Sequence, residues 1–174
     1  MRVTAVIGLI GAGLLLAGCG SGTVSGDADA EGTAAGEPVF SPCDDIPEEV
    51  LLKLQLDPST ESRDILGVEQ PGWKLCRWDG NGYILTVFST TSSMEDVRAN
   101  DRNTDFRDQS VGGREAFIYH ETSDTRQESC DVALKSRDGA AIVRITLSAV
   151  DPASIERCQL ALDSALALQP AIPL

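Results

Sequence analysis

The sequence predicts an α+β domain: an antiparallel sheet of about five strands, covered by two or three helices and closed by two disulfides. Three observations carry that reading. Trp73 to Ser89 and Cys130 to Ala149 each alternate apolar and polar residues on either side of a glycine-bearing turn, as half-buried hairpins do. Segments with helical spacing and helix-start residues precede, separate and follow these hairpins. Cys43, Cys76, Cys130 and Cys158 form an even set, which in an exported chain reads as a disulfide framework.

The first residues read as an address. Met1-Arg2 precedes an apolar run from Val3 to Leu16, and Leu16-Ala17-Gly18-Cys19 follows. One positive charge, a short apolar stretch and small residues before a cut site make a secretory signal. The run falls short of the roughly 18 apolar residues that a membrane span needs. The small pair before Cys19 resembles a bacterial lipobox, in which the thiol takes a diacylglycerol and the Cys becomes the new N-terminus. Residues 1–18 are therefore expected to be a lipoprotein signal peptide, with Cys19 the site of lipid attachment. Residues 19–38 hold little but Gly, Ala, Ser and acids, so they are expected to be a flexible tether. Such a tether reaches on the order of 25 Å. Residues 39–174 are left as a single extracytoplasmic α+β domain. The expected location is the extracytoplasmic face of the cell membrane, with the bilayer engaged only through the anchor.

Within that domain, Pro47 to Leu54 has helical spacing, with acids at Asp44, Asp45, Glu48 and Glu49 to complement the positive helix start. The first hairpin follows, turning at Asp79-Gly80-Asn81-Gly82, with Cys76 and Trp78 on the face of Tyr83, Leu85 and Val87. Ser92 with Glu95 reads as a capping box for a short helix to about Ala99. Asn100 to Asp108 reads as a polar loop, and Val111 to Tyr119 as a strand.

In the second hairpin the turn Asp138-Gly139 predicts that Leu134 opposes Val143, Val132 opposes Ile145 and Cys130 opposes Leu147. Cys130 then faces inward, while Asp131 and Arg144 lie on the other face. Asp151-Pro152 reads as the start of a last helix whose apolar stripe is Ile155, Cys158, Leu162, Ala165 and Leu166. Of three possible connectivities, the inward faces favour Cys130–Cys158, and elimination leaves Cys43–Cys76.

The 14 Lys and Arg against 27 Asp and Glu give a formal net charge of −13, which argues against a nucleic-acid partner. No metal site and no cofactor are expected, because the cysteine spacings are long and His120 is the single imidazole. His120 reads as a surface residue at a strand end. Asp79 to Gly82 is a hairpin turn rather than a calcium loop, since Tyr83 and Ile84 stand where ligand and glycine are needed. No nucleophile elbow or phosphate-binding glycine loop is present, and no catalytic residue is assigned. The remaining candidate is a binding loop, with Phe106 between Arg102 and Arg107 as a contact point for a protein or small-molecule ligand.

Five short motifs in order then resemble the actinobacterial lipoprotein family known as domain of unknown function 3558. They are Ser41-Pro42-Cys43, Cys76-Arg77-Trp78, Gly113-Arg114-Glu115-Ala116, Cys130-Asp131-Val132, and Cys158 followed by Ala161, Ala165, Leu168 and Pro170. The resemblance runs from about residue 40 to the end. It implies a tethered extracytoplasmic domain and supplies no activity and no catalytic residues. The function expected is that of a non-enzymatic binding or accessory module at the cell surface. A hydrolase or wall-modifying enzyme without a recognisable motif is the alternative.

Overall fold

A computed structural model describes residues 36–65, 67–148 and 156–174. The expected signal peptide, Cys19, the tether as far as residue 35 and the Asp151-Pro152 helix start lie outside the described residues.

The chain forms α1 (Pro42–Asp45), α2 (Glu48–Lys53), β1 (Leu56–Arg63), β2 (Trp73–Gly80), β3 (Tyr83–Thr90), α3 (Met94–Ala99), β4 (Asn103–Val111), β5 (Arg114–Glu121), β6 (Ser129–Ser136), β7 (Gly139–Leu147) and α4 (Arg157–Leu168). Among the described residues one sheet holds seven strands in the order β1-β2-β3-β7-β6-β5-β4, every pair antiparallel. Two meanders are therefore joined where β3 pairs with β7. After β3 the chain passes through α3 to the far edge, which sets α3 on one face of the sheet; α1, α2 and α4 pack on the other.

Alternation places the larger core on the face of α4. Trp78, Leu85, Val87, Val132, Leu134 and Val143 from the strands meet Leu51, Ala161, Ala165 and Leu168 from the helices. A smaller second core joins Met94 and Val97 of α3 to Phe117, Tyr119, Ala133, Ala140 and Ile142. The sheet thus buries apolar residues on both faces, and β6 is buried at all but one of its positions. α3 is held at its start by a capping box between Ser93 and Asp96, one residue beyond the expected Ser92 and Glu95.

The α+β class and the antiparallel sheet stand, but the strand number is seven rather than about five. The two additional strands are the edges, and both are polar. Leu56–Arg63 contains Pro58 and carries a register shift after Asp57, which an edge strand tolerates because one row of its N–H groups faces outward. Asn103–Val111 occupies the segment expected to be a loop, and it turns into β5 through Gly112-Gly113. Both glycines have positive φ, +60° and +81°, as a tight two-residue hairpin turn requires.

The β6–β7 hairpin is offset by two residues from the expected register: Cys130 opposes Ile145, Val132 opposes Val143, and Ser136 opposes Gly139. An offset of two leaves every side chain on its expected face. Gly139 is not a turn residue but the first residue of β7. A Cβ there would lie 2.3 Å from the carbonyl oxygen of Thr90 and 2.7 Å from that of Ser92. Close approach of the chain entering α3, not a positive φ, is what needs glycine here.

The structure carries disulfides Cys43–Cys76 and Cys130–Cys158, each closing a 5.2 Å Cα–Cα gap. The stripe of α4 is turned from the expected one: Ala161, Ser164, Ala165 and Leu168 are buried, while Leu166 is 54% exposed. Ile155 lies outside the described residues.

Candidate functional site

Asp131 alternates with the apolar residues of its strand like any outward-facing acid, yet it is the centre of the most unusual chemistry in the fold. Cross-strand pairing lays Thr86, Arg144, Asp131 and Tyr119 in one row over β3, β7, β6 and β5, on the face that α3 only partly covers. Arg144 Nε donates to Asp131 Oδ1 at 2.7 Å, and its Nη2 donates to Glu121 Oε1 at 2.7 Å. None of the Asp131 side chain is exposed, against 21% of Arg144 and 37% of Glu121. Asp131 Oδ2 has no hydrogen-bond partner among the described residues.

Burial pushes the Asp131 carboxyl up to about 6, against the pull of the neighbouring Arg144 guanidinium. Burial also works to lower Arg144, but Asp131 and Glu121 outweigh it and hold the guanidinium above its ordinary value. Tyr119 is raised, by burial first and by the charge of Asp131 second. A buried ion pair of this kind is held by its geometry rather than by a net gain over apolar packing.

An aromatic strip lies beside this row on the same face, with Phe88 paired to Ile142 rather than to Arg144. Arg144 Cζ stands 5.2 Å over the Phe88 ring, and Phe88 meets Trp73 edge to face at 6.4 Å. Trp73 is 36% exposed, and Ile84, Thr86 and Phe88 are half-buried. Phe88 packs against the second core beneath α3, and the strip reaches solvent at its outer end, Trp73.

The expected binding loop is instead strand, and its three residues do not converge. Phe106 is half-buried in the second core, stacked on Tyr119 at 5.9 Å and edge-on to Phe117 at 5.6 Å. The cation over it is Arg98 of α3, 4.4 Å from the Phe117 ring and 5.3 Å from that of Phe106. Arg102 is exposed in the turn before β4, and Arg107 is exposed opposite Ile118, on the other face from Phe117. His120 is not a bare surface residue. Its Nδ1 lies 3.1 Å from the Ser129 carbonyl oxygen, and its Nε2 lies 3.8 Å from Cys158 Sγ.

Two clefts lie away from Asp131. One, of about 410 Å³, runs beside Cys43 and is lined by Asp44, Arg63, Glu69, Trp73 and Lys74. The other, of about 430 Å³, lies between Gln55, Tyr83 and the start of α4 at Glu156 and Gln159. Trp73 therefore borders both the first cleft and the aromatic strip.

Arg114 is a second buried charge, and its work is structural. Its Nη1 donates to the carbonyls of Lys135 and Pro173 at 3.1 and 3.4 Å, and its Nη2 to those of Gln169 and Ile172 at 3.3 and 2.9 Å. One guanidinium gathers the end of α4 and the C-terminal tail onto β5, where a cation complements the helix C-terminus. Burial lowers its pKa, as desolvation of a cation does.

The family model described as Protein of unknown function (DUF3558) matches residues 14–170. The chain belongs to this family. The match takes in both disulfides, the Asp131–Arg144 pair and Arg114, so the DUF3558 pattern spans the whole sheet and α4. No curated protein and no solved structure matches the chain.

Proposed function

We propose that this DUF3558 protein is a membrane-anchored extracytoplasmic lipoprotein, held by a lipid on Cys19, whose domain is a non-enzymatic binding module. The observation that carries the binding reading is the strip Trp73–Phe88–Arg144, which ends in the exposed Trp73. Trp and Arg are the side chains that most often anchor protein interfaces. An exposed side chain on a strand suits a partner protein better than a small molecule, which needs a concave site. The anchor reading rests on Leu16-Ala17-Gly18-Cys19 and on the two disulfides, which suit an oxidising compartment. No helix among the described residues is long and apolar enough to cross a membrane.

One observation favours the alternative of a hydrolase or wall-modifying enzyme: Asp131 is raised to about 6, in the range where a carboxyl serves as a general acid. Against it, no part of that side chain reaches solvent and neither cleft includes it. Two experiments test the proposal. Metabolic labelling with an alkyne fatty acid should mark the wild-type chain and not Cys19→Ser. Crosslinking in intact cells should recover a partner protein with the wild-type chain and lose it with Trp73→Ser and Phe88→Ser together. Equal recovery from both chains contradicts the binding reading.

A further inference from the structure

Large apolar side chains left in solvent gather at one place on this domain. Seven are exposed among the described residues, and four of these, Val39, Ile65, Val68 and Trp73, belong to the cleft beside Cys43. Trp73 lines it, Val39 lies between its lining residues Glu37 and Ser41, and Ile65 and Val68 lie between Asp64 and Glu69. Exposed apolar residues scattered singly need no explanation, whereas a group of them marks an interaction site. Ile65 and Val68 are 57% and 55% exposed. They pair with each other in the connection from β1 to β2, where the Val68 N–H donates to the Ile65 carbonyl at 3.0 Å. The apolar turn and the outer end of the aromatic strip therefore share one opening.

Charge decides what can cover it. Glu37, Asp64 and Glu69 line the cleft and have no ion-pair partner among the described residues. The two cations there are already engaged. Arg63 donates to Asp44 at 2.8 Å and to Glu61 at 3.2 Å, and Lys74 Nζ donates to the Pro38 carbonyl at 2.9 Å. An apolar centre edged by unpaired carboxylates complements an apolar centre edged by Lys or Arg.

The bilayer is the competing occupant. Lys74 holds Pro38 at this cleft, so the chain leading back to Cys19 enters the domain here. From Cys19 to Gly36 that chain spans at most about 60 Å, which keeps the patch within reach of an anchored lipid. Carboxylates on both sides of the turn would meet lipid phosphates of the same sign. That repulsion favours a protein over the lipid surface.

We propose that the binding surface runs from Trp73 over Val68 and Ile65, and that its occupant is a basic protein surface with an apolar centre. The proposal rests on the binding reading above and adds the extent of the surface and the charge of the partner.

The test is photocrosslinking in intact cells with the full chain. A photoreactive residue in place of Val68, and in a second chain in place of Trp73, should each give a protein adduct of the same mass. The same residue in place of Leu166, equally exposed on α4, should give none. Glu37→Lys with Glu69→Lys should lower the yield at both positions roughly ten-fold or more, because like charges across an interface repel. Glu37→Asp with Glu69→Asp should keep it. Both glutamates are exposed, so the purified Lys variant should keep the thermal midpoint of the wild-type chain. Asp64 is left in place because its φ of +58° strains most replacements.

A protein adduct at position 73 alone overturns the extension over the turn while the binding reading stands. Yields untouched by the two Lys substitutions overturn the basic partner. An adduct at position 68 with the mass of a phospholipid makes the bilayer the occupant and overturns the proposal. No protein adduct at either position overturns the proposal and the binding reading together.

Discussion

Asp131 accepts a 2.7 Å hydrogen bond from Arg144 through one carboxylate oxygen, while its other oxygen is buried and meets no donor among the described residues. A charge so placed is half satisfied, and the cost falls on the ionised form. The folded carboxyl titrates near 6, above the ordinary value of 3.8, so the native state binds this proton more tightly than the unfolded chain. Its contribution to stability is present in full below about pH 4 and is lost as pH rises through about 6. Asp44 has the opposite sign: hydrogen bonds from Arg63 and then Ser41 hold it at about 2, so its contribution is lost as pH falls below its ordinary value. Denaturant titrations across this range should show Asp131→Asn lacking the decline between pH 4 and 6. Parallel profiles for the two proteins would sink this account of Asp131.

Arg114 should be among the costliest single residues to replace. Arg114→Met leaves the carbonyls of Lys135, Gln169, Ile172 and Pro173 without their shared donor at the end of α4. A loss of about 3 kcal/mol in unfolding free energy is expected for removing a charged hydrogen-bonding partner. Arg114→Lys should recover little, because a single ammonium cannot span both pairs of carbonyls. A loss below about 0.5 kcal/mol for Arg114→Met, the ordinary surface value, would show that the tail is held by its apolar contacts alone.

Gly139→Ala and Gly113→Ala separate two reasons for glycine. At Gly139 the added carbon meets backbone oxygens at 2.3 and 2.7 Å, so either β7 or the entry to α3 has to move. The expected cost is about 3 kcal/mol, the upper end for overpacking. At Gly113 the added carbon meets nothing within 4 Å, and only the φ of +81° is strained. About 1 kcal/mol is expected there. Chemical denaturation of the two variants decides, and a reversed order contradicts the close approach at Gly139.

The disulfides span 33 and 28 residues, loops for which a bridge contributes about 3 kcal/mol when unstrained. Cys43→Ser with Cys76→Ser, and Cys130→Ser with Cys158→Ser, should each lose about that much. Peptide mapping without reduction should return Cys43 joined to Cys76 and Cys130 joined to Cys158. Any crossed peptide contradicts the structure.

The sequence carried the centre of this fold better than its edges or its charges. Both inner hairpins were legible because apolar alternation and turn residues agree, and the two-residue offset at β6–β7 left each face unchanged. β1 was hidden because Leu56-Asp57-Pro58-Ser59-Thr60 has no apolar alternation, and an edge strand needs none. β4 was hidden for the same reason, although Gly112-Gly113 was an available hairpin signal. α3 lies over β5 to β7 and converts their polar-looking face into a second core, so Asp131 alternates like an outward residue yet is fully buried. No local pattern announces a carboxylate buried by tertiary packing. Phe106 was visible as a lone aromatic among charges, but its stacking on Tyr119 depends on the register of β4 against β5.

The claim that this domain is a binding module is tested most directly by site-specific photocrosslinking on intact cells. A photoreactive residue in place of Trp73 should yield a discrete crosslinked species with a partner protein. The same residue in place of Glu48, exposed on α2, should yield none. Arg144→Ala should reduce the yield from position 73. No crosslink at position 73, or equal crosslinking at 73 and 48, would contradict the account.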